Sequence, residues 1–144
     1  MMEKQSFILN TALLPFASLI AALGLDVTKF FILSFLMVLD LVTGTTKAYV
    51  CKEDVTSRRL SAGFLSKIMV LLVPLTVALM AKGVAVDMVW FISFTVSILI
   101  VAEAYSVVGN VYTIKTGEAV KEIDAVSAII KTLRRILENM LREK

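Results

Sequence analysis

Four long apolar stretches, parted by short polar breaks, constrain this chain more than any other feature. They run from Phe7 to Leu25, between Lys29 and Lys47, from Phe64 to Ala81, and between Asp87 and Lys115. A membrane-crossing helix needs about 20 residues at about 1.5 Å rise each. Each stretch reaches that length when flanking lysines extend their ammonium groups toward the interface. An outer-membrane barrel would need segments of about ten residues that alternate apolar and polar, and these runs are uniformly apolar. Lipid offers no partner to a bare N–H or C=O, so helices are the expected solution. Composition agrees: 58% of the 144 residues are apolar and mean hydropathy is +0.87, against about 45–50% apolar in soluble domains. The surplus is expected to face lipid.

The expected fold is therefore an all-α membrane protein, a bundle of four transmembrane helices followed by a cytoplasmic C-terminal amphipathic helix. Residues 1–112 form the bundle in this reading and 113–144 the tail. Asn10 and Pro15 make the first stretch the weakest span. If residues 7–25 lie along the membrane surface instead, three spans remain. Pro74 is expected to kink its helix, with Thr76 or water meeting the freed carbonyl. The N-terminal segment has one lysine and no small-residue cleavage site near residue 25, so a removed signal peptide is not expected.

Orientation follows from lysine and arginine. Lys47, Lys52, Arg58, Arg59 and Lys67 crowd around one connection, and Lys115, Lys121, Lys131, Arg134, Arg135, Arg142 and Lys144 fill the tail. The other breaks are short and balanced. The basic connection and the tail are expected on the cytoplasmic side of the membrane, and Trp90 near the outer interface.

The residue types exclude several chemistries. There is no histidine, and Cys51 is the sole cysteine, so neither a disulfide nor a Cys/His metal site can form within one chain. Cys51 reads as a small neutral residue near a helix end. No base-activated serine and no phosphate-cradling glycine loop is present. No enzyme, no cofactor, no metal and no nucleic-acid partner is expected.

Charge inside the apolar stretches is the candidate functional feature. Asp40, Gly44 and Lys47 are spaced by four and three, so they share one helix face with Thr43 beside them. Glu103, Ser106 and Asn110 repeat the pattern in the last stretch. Asp40 to Lys47 and Glu103 to Asn110 each cover seven residues, about 10 Å, so the two polar stripes lie at comparable depth. A carboxylate at the centre of a membrane helix costs about 2.5–3.5 kcal/mol on insertion scales. The two carboxylates either pair with Lys47 and Lys67 and only fix helix packing, or line a watery interface within the bundle or between copies. A protonated carboxyl is a third solution. Gly44 with Thr43, Thr45 and Thr46 allows another backbone to approach closely.

In the tail, Ala119, Ile123, Val126, Ile130, Leu133, Leu137 and Met140 recur at alternating steps of four and three, with Ile129 and Ile136 widening the seam. This face suits either the inner leaflet, with its basic neighbours on lipid headgroups, or another copy of the same helix.

The run Asp40-Leu-Val-Thr43-Gly44-Thr-Thr-Lys47-Ala48 resembles the D-x-x-T-G-x-x-K-A signature of the toxin-secretion and phage-lysis holin family. Ser61-Ala-Gly63 with Lys67, and Glu103-Ala-Tyr-Ser106 with Asn110, are similar to two further elements of that family in the same order. Residues 111–115 lack the proline-containing link common there. The resemblance, over roughly residues 30 to 140, implies a small inner-membrane protein that forms homo-oligomers among membrane lipids. It further implies lesions that let an endolysin, the functional partner, or a large toxin leave the cytoplasm. Two other classes remain open on the residues alone. One is a small ion-coupled transporter using Glu103 or Asp40, which usually needs an internal repeat; none is convincing here. The other is a passive scaffold subunit.

Overall fold

The computed structural model describes residues 14–15, 17–121 and 124–142. Every regular element among them is helical: α1 (Val27–Val50), α2 (Ser57–Gly83), α3 (Val89–Thr116) and α4 (Ala125–Arg142). The first three are long and apolar enough to cross a membrane. Of the expected span over residues 7–25, residues 7–13 and 16 lie outside the described residues. Residues 17–22 of it are helical, and Ile20, Leu23 and Leu25 are buried in the common core.

The polar breaks between spans are helix caps. Asp26 accepts from the Thr28 and Lys29 N–H groups at 2.9 and 3.2 Å and starts α1. Thr56 accepts from the Arg59 N–H at 3.2 Å and starts α2. Such caps satisfy amides that have no partner within the helix. Gly24 closes the preceding helical turn at φ +76°, with N–H bonds from Gly24 to Ala21 and from Leu25 to Ile20. The same paired closure ends α1 at Lys52 and α2 at Ala85, both in the left-handed region without being glycine.

α1 and α3 run parallel and form the tight pair. Lys29 Nζ donates to Ser93 Oγ at 2.7 Å near their starts, and Asn110 Nδ2 donates to Asp40 Oδ1 at 3.0 Å further along. On α1 the inward face is Phe30, Leu33, Met37 and Asp40. On α3 it includes Phe91, Thr95, Leu99, Glu103 and Asn110. Steps of three and four keep each set on one side of its helix. α2 runs the opposite way and joins this pair through Val77, Ala78 and Ala81 in its second half. Its first half stands away, leaving Leu60, Phe64 and Leu65 42%, 57% and 54% exposed. The bundle is thus closed at one end and open at the end near the basic connection. Phe35, Val38 and Val101 point outward, as lipid-facing side chains do.

Two buried details differ from expectation or carry a consequence. α2 continues through Pro74 to Gly83. The Thr76 hydroxyl donates to the Leu72 carbonyl, and not to that of Val70, the one a proline at 74 leaves without its helical donor. Thr95 is fully buried and its hydroxyl has no hydrogen-bond partner. Thr95→Val keeps the shape and removes the orphaned group, so the variant should be more stable by about 1 kcal/mol, read as a higher unfolding midpoint in detergent.

α3 ends at Gly117 (φ +76°), whose N–H bonds the Thr113 carbonyl at 2.8 Å. Glycine thus performs the termination that the missing proline would otherwise impose. The link then folds back so that Val120 packs on Gly109. This fixes how α4 docks and shifts its buried face from the expected seam. Ala125 and Ile129 are buried, with Val126, Leu133 and Ile136 at their border. Ile130 is 58% exposed. Leu137 and Met140 are half-buried. Ala119 lies in the non-helical link, and Ile123 lies outside the described residues.

Asp124 caps α4 by accepting from the Ser127 N–H at 3.0 Å. Hydrogen bonds from the Ser127 hydroxyl and N–H hold the Asp124 carboxyl below its ordinary value of 3.8. A lowered folded pKa means the cap is fully present above that ordinary value and is lost as pH falls through the lowered one. Amide exchange in the first turn of α4 should therefore accelerate in strong acid beyond its intrinsic trend, and Asp124→Asn should remove that excess.

Candidate functional site: a buried ion-pair network between three helices

Asp40, Lys67 and Glu103 come from three different helices and meet at one point. Lys67 Nζ lies 2.8 Å from Asp40 Oδ2 and 2.7 Å from Glu103 Oε2, with Glu103 Oε1 at 2.9 Å. Lys67 is the polar tie of α2 to the α1–α3 pair, and it sits where α2 begins to diverge. Asn110 completes the network, donating to Asp40 Oδ1 at 3.0 Å and to Thr43 Oγ1 at 3.3 Å. Thr43 itself donates to the Leu39 carbonyl at 2.9 Å. Asp40, Glu103 and Asn110 are 9%, 7% and 6% exposed, so these groups are withdrawn from both lipid and bulk water.

The arrangement answers the cost of charge in a membrane. One ammonium bridges two carboxylates, and an amide serves a carboxylate oxygen left over. Buried charges that are paired and hydrogen-bonded escape most of the desolvation penalty. Counted formally, two carboxylates and one ammonium leave these three side chains one net negative charge.

The structure brings together most, but not all, of the residues the spacing pointed to. Gly44 faces Asn110: a Cβ there would lie 3.6 Å from Asn110 Nδ2. Gly44 therefore lies at the contact of α1 with α3 inside one chain, where an added Cβ would make ordinary van der Waals contact, while Thr46 remains exposed. Lys47 does not pair with either carboxylate; that role belongs to Lys67 alone among the described residues. Lys47, Ser106 and Gly63 instead line a cavity of about 270 Å³ that reaches the Asp40–Asn110 contact from the open end. Ser61 is exposed on α2 and takes no part. Thr45, Val55, Arg59 and Leu60 also line the cavity. Sequence spacing did not single them out, since they sit at the divergence of two helices and share no periodic signal. Among the described residues no cluster of acidic, Cys or His side chains is suited to a metal ion.

These features define a helical membrane protein whose spans are fastened by a buried ionic network. A sequence profile of the bacteriophage holin family matches residues 17–140. The chain belongs to that family, which is not an enzyme family. No curated protein and no solved structure matches it.

Proposed function

We propose that the protein is a holin that accumulates in the bacterial inner membrane, oligomerises, and opens lesions through which an endolysin or a large toxin passes. The observation that carries this reading is the polar stripe of α1 and α3, fastened by Lys67, in a chain of this family. In a single bundle the stripe is turned inward on itself. Lesion formation would exchange the intramolecular Asp40–Lys67–Glu103 contacts for contacts or water between copies as the local concentration rises. The membrane potential would bias that exchange, since a charge crossing the field gains about 2.3 kcal/mol per 100 mV. The basic connection and the tail, residues 113–144, belong on the cytoplasmic side in this reading, by the lysine and arginine distribution. The uncovered part of the α4 seam, exposed Ile130 with half-buried Leu137 and Met140, is available to the leaflet or to another copy.

Expression in a bacterium that holds a cytoplasmic endolysin tests the proposal by culture turbidity. Abrupt clearing after a delay is the expected result. Continued growth accompanied by proton-coupled flux of a small solute would instead favour a carrier using Glu103 or Asp40. Asp40→Asn should shift the onset of clearing, because it changes the balance between the closed and the assembled arrangement. Unchanged timing would remove the stripe from the mechanism. Crosslinking through the exposed Cys51 reports assembly directly.

A further inference from the structure

We infer that the open end of the bundle, between α1 and the first half of α2, holds one anionic phospholipid. Two recesses lie side by side there. The polar cavity of about 270 Å³ carries Lys47, Arg59 and Lys67 on its walls. The neighbouring groove, about 600 Å³, is walled almost entirely by apolar side chains, among them Val42, Tyr49 and Phe64. Leu41, Thr45, Val55 and Leu60 line both, so the recesses share a wall and form one amphiphilic surface.

The charges decide the sign of the headgroup. Lys67 is committed to Asp40 and Glu103. Arg59 shares an exposed pair with Glu53, and such solvated pairs are weak enough to yield to a better partner. Lys47 has no carboxylate partner among the described residues and is half-buried at the cavity wall. Lys47, Lys52, Arg58 and Arg59 outweigh Glu53, Asp54 and the one net negative charge of the Asp40–Lys67–Glu103 group, so this end of the spans is positive on balance. A free anion would be served by the cavity alone. The adjoining apolar groove calls for a ligand whose anionic head is joined to a hydrocarbon chain. A bilayer presents that ligand at this depth, where basic residues flank a span. The lipid would fill the gap that α2 leaves on diverging from α1 and so brace the helix that carries Lys67. The inference stands whether or not the chain opens lesions.

Native mass spectrometry of the full chain in mild detergent tests it, with phosphatidylglycerol and phosphatidylcholine of equal chain length as probes. The expected result is one retained phosphatidylglycerol per chain, with retention lowered about fivefold by Lys47→Gln and again by Arg59→Gln. Lys47→Arg should restore it. Leu60→Trp, which fills the shared wall without altering charge, should also lower it. Equal retention of phosphatidylcholine would overturn the proposal, as would an equal loss in Lys131→Gln, whose charge lies on α4 away from the site. Displacement of the lipid by inorganic phosphate would assign the site to a free anion. Efficient disulfide formation between two copies of Phe64→Cys made in a Cys51→Ser background, undiminished by added phosphatidylglycerol, would assign the groove to a second copy. Either result would sink the lipid assignment.

Discussion

Replacing Lys67 by methionine should be the most damaging single substitution in the bundle, lowering stability by about 3–5 kcal/mol, the usual consequence of removing one partner from a buried ion pair. Methionine keeps the length of the side chain and its packing but removes the cation that lies between Asp40 and Glu103. Asp40 and Glu103 are both buried residues, and the cavity at the open end is lined by Asp40 and not by Glu103, so water can replace the ammonium only in part. α2 has no other ion pair to α1 or α3 among the described residues. The variant should therefore lose α2 first, seen as faster amide exchange over Ser57–Gly83 than over Val27–Val50. Lys67→Arg should retain most of the stability, although a planar guanidinium fits two flanking carboxylates less closely than an ammonium does. If Lys67→Met unfolds at the same midpoint as the parent in detergent, the network is not a fastening.

The second large effect is one of non-additivity. Asp40→Asn alone leaves Lys67 paired with Glu103, and Glu103→Gln alone leaves it paired with Asp40. Each single variant relieves the excess negative charge, so each should change stability by less than about 1 kcal/mol. The double variant strands the Lys67 ammonium among neutral groups and should cost several kcal/mol, giving a coupling of about 2–3 kcal/mol at the upper end of what neighbouring residues show. Adding Lys67→Met to the double variant should recover much of the loss, because no charge then remains buried. Additive single effects would mean that the two carboxylates do not share one cation. Unfolding midpoints of these four variants and the parent in the same detergent decide the matter.

Much of the fold was legible because lipid imposes a strict rule on length and polarity. α1 and α3 begin and end within a few residues of the apolar stretches, and the structure shows Asp26 capping the start of α1 and Gly117 the end of α3. α2 begins earlier than its apolar run, at Ser57, since Thr56 caps it and the basic first turns need no lipid. The shared face of Asp40 and Gly44, and that of Glu103, Ser106 and Asn110, followed from helical spacing alone. Their equal depth predicted a meeting, and parallel packing of α1 with α3 supplies it.

What spacing could not give is the partner across the interface. Lys47 and Lys67 were equal candidates for the carboxylates, being similar charges at similar distances along the chain from a helix end. Only the antiparallel course of α2 places Lys67 between Asp40 and Glu103 and leaves Lys47 in the cavity. The tail shows the same limit: a heptad pattern marks an apolar face, but the Val120–Gly109 contact decides which part of that face is covered. By itself the sequence determined three of the long apolar helices and their polar stripes, because those depend on local backbone and solvent; the fourth expected span, over residues 7–25, is not among the long apolar helices that the described residues show. The tertiary structure alone decided which charge answers which, and where the bundle stays open, because those depend on the angles at which helices distant in sequence cross.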